Sequence, residues 1–102
     1  MYPLLRFRIM LRIQLGGNLD SVQDGAGIND NGSGVSALLE LIVAVAQYST
    51  TQKIRFIWWG AEENGQLGSY HYTKALSVTE IKNIAMYLNI GSHLHFAILR
   101  SG

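Results

Sequence analysis

The 102-residue chain carries eight Lys and Arg against seven Asp and Glu, a net charge of +1, and nearly half of its residues are apolar. Such a chain makes at most one domain with a modest core, is not disordered by composition, and offers no broad field to nucleic acid or an anionic membrane. It has no cysteine, so disulfides and thiolate metal sites are excluded and any metal must rest on His, Asp, Glu and water.

The apolar start, residues 1–15, is interrupted by Arg6, Arg8 and Arg12. That leaves no uninterrupted run for a signal peptide or a membrane span, so the chain reads as soluble and its compartment stays open. Over 7–15 the apolar residues fall at Phe7, Ile9, Leu11, Ile13 and Leu15, with Arg6, Arg8, Arg12 and Gln14 at the alternate positions. A period of two predicts a strand with one wet face. Residues 16–34 hold glycines among Asn, Asp and Ser and read as a long loop, a kind that is usually functional or mobile in a compact domain.

Over 35–48 the residues Leu38, Leu39, Ile42, Val43 and Ala46 fall at helical spacing, with Ser33 or Ser36 placed to cap the start. IRFIWW at 54–59 is β-branched and aromatic and predicts a buried strand with Trp58 and Trp59 in the core. A second loop follows. A short helix is expected around 67–76, and Ser77 with Glu80 matches a capping box that opens another turn or two. Residues 84–90 form a third apolar run, and 93–99 read as a last strand.

Strands alternating with helices predict an α/β fold with a parallel sheet covered on its faces. Ligands bind such sheets beyond the carboxyl ends of the strands. Here those ends lead into Asp20, Asp24 and Asp30 after the first strand and Glu62 and Glu63 after the second. Trp58, Trp59, Gly60 and Ala61 hold the paired glutamates near the core, and successive side chains diverge. One can therefore ligate a metal while its neighbour faces a bound water as general base. Asp30 lies in GINDNGSG, where glycines allow a tight turn that fixes a short carboxylate, and a carboxylate there can bridge two metals about 3.5–4 Å apart. Taken singly, each acid is as well explained as a cap or a turn residue.

NLDSV (18–22), GINDNGSG (27–34), WWGAEENGQLGS (58–69) and YLNIGS (87–92) together resemble, in order and spacing, the motifs of the aminopeptidase Y-type di-zinc exopeptidases, metallopeptidase family twenty-eight. The resemblance implies a three-layer α/β/α domain with a mostly parallel sheet, present here as one partial zinc-peptidase-like domain over 1–102. It also implies removal of N-terminal residues from peptides with two zinc ions and a water between them. On that resemblance Asp30 bridges the metals, Glu62 is the general base and Glu63 binds a zinc. Asp20 orients a histidine ligand two residues before it.

The departures bear on activity. Asn18 stands where the family has that histidine, and an amide oxygen is a weak zinc ligand. After YLN the family carries a further ligand aspartate, whereas Asn89 here runs directly into Ile90 and Gly91. A final histidine ligand and the strands that complete the sheet are expected beyond Gly102. Of the usual ligands Asp30 and Glu63 remain, and zinc in a catalytic site normally has three protein ligands. Two readings follow: a zinc aminopeptidase acting on peptides, with its missing ligands supplied from elsewhere, or an inactive relative that folds poorly or serves as an interaction module. Weak or absent zinc binding is expected, and oligomeric state is open.

The other polar features have plainer explanations. His93 and His95 suit the end of an amphipathic strand, and His71 suits a helix surface. Asn31-Gly32-Ser33 matches a glycosylation acceptor but reads as a turn, and the glycine-rich stretch lacks the Gly-Lys-Ser/Thr ending of a phosphate loop.

Overall fold

A computed structural model of the chain describes residues 11–92. Its elements run β1 (Arg12–Asn18), α1 (Gly32–Val45), β2 (Lys53–Trp59), α2 (Leu67–Ala75), α3 (Val78–Lys82) and β3 (Ile84–Asn89). The strands make one parallel sheet in the order β2-β1-β3. The α/β expectation holds, while residues 7–10 of the strand expected over 7–15, the strand expected at 93–99, and His93 and His95 lie outside the described residues.

Register shows how the helices are distributed. Leu15 pairs with Phe56 and Leu88, and Ile13 with Ile54 and Met86, so one face of the sheet is apolar. A Cβ on Gly17, on that face, would sit 3.3 Å from Leu38 Cδ1 of α1, and Leu38 is wholly buried. The alternate positions, Gln14 beside Arg55 and Tyr87, form the other face. There Tyr72 of α2 accepts hydrogen bonds at its hydroxyl from Gln14 Nε2 at 3.1 Å and Arg55 Nη1 at 2.8 Å. The Tyr72 ring also packs against Trp59 at 5.2 Å between centroids. With α1 on one face and α2 on the other, the layers are α/β/α.

At Gln14 the face expected to be wet is closed. Gln14 is 3 % exposed, because β1 is the central strand and a central parallel strand is covered on both faces. Gln14 is bonded to the Tyr72 hydroxyl, which in turn accepts from Arg55. The strand also runs through Gly16, Gly17 and Asn18, which reads in the sequence as the start of a loop. Close approach explains the glycines: a Cβ at Gly16 would stand 2.5 Å from Tyr87 Oη and 2.9 Å from Trp59 Nε1, and one at Gly17 would stand 2.6 Å from the Ile90 carbonyl.

Helix α1 begins at Gly32, three residues before the apolar periodicity, with Asn31 as its N-cap residue. Neither serine caps it. Ser33 Oγ and Ser36 Oγ instead donate back to the carbonyls of Asn29 and Gly32. Leu39 and Val43 on its outer side are 54 % and 58 % exposed. Helix α3 opens with the anticipated capping box: Ser77 Oγ accepts from the Glu80 amide at 3.2 Å and Glu80 Oε2 accepts from the Ser77 amide at 2.7 Å. Trp58 and Trp59 are half-buried rather than enclosed, since β2 is an edge strand among the described residues.

Candidate functional site

Because the strands are parallel, their carboxyl ends meet at one rim, where β1 ends at Asn18, β2 at Trp59 and β3 at Asn89. The rim holds a cleft of about 290 Å³ lined by Asn18, Asp30, Glu62, Glu63, Asn89, Gly91 and Ser92. The acids expected from separate loops are thus brought together. Asp24 is exposed and does not line the cleft, and His71 is exposed on α2.

Asp30 is carried to the rim by its neighbour. Asn31 is 2 % exposed, and its Nδ2 donates to the Asn18 carbonyl at 3.0 Å and the Ile90 carbonyl at 3.3 Å. It ties the start of α1 to the ends of β1 and β3. A Cβ at Gly34 would collide with Asn31 Oδ1, so glycine there makes room for the brace. Asn31 Oδ1 itself is buried without a hydrogen-bond partner among the described residues. The peptide bond between Asp30 and Asn31 is cis. Such burial removes Asn31 from consideration as a glycosylation acceptor.

Asp20 is half-buried behind the two glutamates. Its Oδ1 accepts from the Glu62 amide and its Oδ2 from the Glu63 amide, each at 3.0 Å. Burial pushes its carboxyl up, but the bonds from the Glu63, Glu62 and Asp20 amides and from Asn18 outweigh this and hold it below the ordinary value. Asn18 is 8 % exposed, and its Nδ2 donates to the Asp20 carbonyl at 3.0 Å. Asp20 therefore orients no ring at position 18. Glu63 is pushed up by partial burial and by the negative charges of Glu62, Asp30 and Asp20.

The third side of the rim is a polar wall that the sequence reading missed. Trp59 Nε1 donates to Tyr87 Oη at 2.7 Å, and Tyr87 Oη donates to Asn89 Oδ1 at 3.0 Å. Burial raises the Tyr87 phenol, against the pull of the Trp59 bond. A tyrosine and an asparagine two apart on a strand share a face, which is the signal that could have found the pair.

Among the described residues, the side chains that line the cleft offer carboxylates, amides and the Ser92 hydroxyl, and none is a histidine. Among the described residues, no group of three or more His, Cys, Asp or Glu is arranged to hold a metal ion. The described residues do not fit a pair of zinc ions.

The model of Peptidase family M28 matches residues 11–93. An aminopeptidase of Pseudomonas aeruginosa is 52 % identical over 77 residues, which are 76 % of this chain and 14 % of that protein. A probable leucine aminopeptidase 2 of Aspergillus oryzae is 48 % identical over 77 residues, again 76 % of this chain and 16 % of the relative. The solved structure of a zinc aminopeptidase from Bacillus subtilis superposes with a TM-score of 0.77 at 39 % identity, covering 80 % of this chain and 20 % of that one. The chain thus spans a small part of the relatives it matches. Among the described residues no helix is long and apolar enough to cross a membrane. With the ordered motifs, the parallel sheet and the match from the first described strand to the end of the rim, the chain belongs to Peptidase family M28.

Proposed function

We propose that the chain supplies the acid-bearing wall of a cleft that hydrolyses peptides from their N-terminus, and that these 102 residues alone turn over little or no substrate. The convergence of Asp30, Glu62 and Glu63 on one cleft carries this reading. In it Glu62 is the general base: it takes a proton from the water that attacks the peptide carbonyl and returns it to the departing amine. Asp30 and Glu63 are the carboxylate donors of the site, and Asn18 is a degenerate ligand position. Zinc is the metal named for the Bacillus subtilis neighbour. In this chain its binding is weak or absent, because two carboxylates and amide oxygen fall short of the usual three strong ligands. That shortfall favours a catalytically silent chain over a working peptidase.

The test is release of chromophore from a leucine anilide across a wide range of added zinc, with a thermal melt at each concentration. No turnover and an unchanged melting temperature are expected, since a ligand that binds the native state must raise it. Turnover that a chelator and Glu62→Gln both abolish would overturn the silent reading.

A further inference from the structure

We propose that Asp20 is the positioning residue of the turn that carries Glu62 and Glu63, acting on its main-chain amides and so setting the direction in which both carboxylates leave the backbone. The inference rests on the proposed function only in treating those two side chains as the working acids.

The turn departs from β2 in a conformation that its own residues disfavour. Ala61 has φ 55° and Gln66 φ 58°, in the left-handed region where a Cβ is crowded. Residues held there persist when their surroundings over-determine them. One half of that restraint comes from the helix that follows. The carbonyls of Gly60, Ala61 and Glu62 accept from the amides of Gly68, Leu67 and Gln66 at 3.1, 3.1 and 2.8 Å. The amides of Glu62 and Glu63 need acceptors from elsewhere, and Asp20 provides both, one oxygen to each. Hydrogen bonds to an ionised carboxylate are among the stronger ones available to an amide.

Asp20 is delivered to that place by the sheet. The Leu19 amide donates to the Trp59 carbonyl at 2.8 Å, extending the pairing of β1 with β2 beyond the strands, and Asn18 holds the Asp20 carbonyl. The clamp therefore joins the end of the central strand to a turn 42 residues away. Each oxygen is engaged by one amide, and Asp20 is not among the residues that line the cleft.

The experiment uses the full chain labelled with 15N and 13C and compares it with Asp20→Ala, Asp20→Asn and the double variant Asp20→Ala with Ala61→Gly. Asp20→Ala is expected to speed hydrogen exchange of the Glu62 and Glu63 amides at least ten-fold while the Leu15 and Tyr87 amides keep their protection. Asp20→Asn, which fills the same space with a single acceptor oxygen, is expected to keep one amide protected and release the other. In the double variant, glycine at 61 tolerates the left-handed φ unaided, so the Cα–Cβ dipolar couplings of Glu62 and Glu63, altered by Asp20→Ala alone, are expected to move back towards the parent values. Protection of both amides retained in Asp20→Asn would overturn the proposal, as would Glu62 and Glu63 couplings that do not differ between the parent and Asp20→Ala. These readouts need neither metal nor turnover, so the clamp and the hydrolase reading can fail separately.

Discussion

Glu63 sits in the field of other carboxylates. Partial burial and the charges of Glu62, Asp30 and Asp20 raise its pKa above the ordinary 4.5. The native state therefore holds this proton more tightly than the unfolded chain does. The resulting contribution to stability is complete below the unfolded value and is lost as pH rises through the folded one, leaving repulsion at neutral pH. Glu63→Gln is thus expected to raise the melting temperature at pH 7, modestly because the group meets solvent and is screened. Circular-dichroism melts should show that gain shrinking in high salt and disappearing at pH 4. A stability gain from deleting a charged side chain is what a site kept for chemistry rather than for packing shows. The identities of these acids were legible from their places after successive strands. The brace beneath Asp30 was not, because the partners of Asn31 are carbonyls 13 and 59 residues away.

At the scale of elements, legibility follows how local the determining contacts are. The capping box of α3 involves residues three apart and was read without error. Ser77→Ala is expected to cost about 1 kcal/mol, the usual worth of a serine cap, and to loosen α3 against β3 in a urea titration. The amide and hydroxyl of Ser77 hold the Glu80 carboxyl below its ordinary 4.5. A lowered folded value gives a contribution present above the unfolded pKa and lost as pH falls through the folded one. The penalty of Ser77→Ala should accordingly shrink in acid below that range. The start of α1 was misplaced for the opposite reason. Gly32, Ser33 and Gly34 have the composition of a loop, and they are helical because Asn31 anchors them to two strand ends.

For the whole molecule, Leu15 and Leu38 are the buried apolar side chains among the described residues, while Ile28, Leu39, Val43 and Val78 are largely exposed. Stability then depends heavily on the central strand, where Gly16 lets Trp59 and Tyr87 close over one face. Gly16→Ala puts a Cβ against Tyr87 Oη and Trp59 Nε1. We expect it to cost about 1–3 kcal/mol, the usual range for overpacking a filled space, and to broaden or abolish the cooperative melt. Intrinsic tryptophan fluorescence should report it directly, since Trp59 is one of the displaced groups. The strands β2 and β3 are edges among the described residues, and exposed edges invite association, so the variant should also sediment as larger species.

The sequence by itself determined the alternation of strands and helices, the parallel sheet and the acids at its rim, since apolar period, turn composition and motif order are written in neighbouring residues. Set beside the family motifs, it also carried the expected loss of a histidine donor at Asn18 and of an aspartate donor after Asn89. Contacts across the fold settled that β1 is central, that Gln14 is buried against Tyr72, that two glycines belong to a strand, and that Asp20 grips the turn after β2. Each of those depends on what lies across the sheet, and contacts between residues tens of positions apart leave no local period to read.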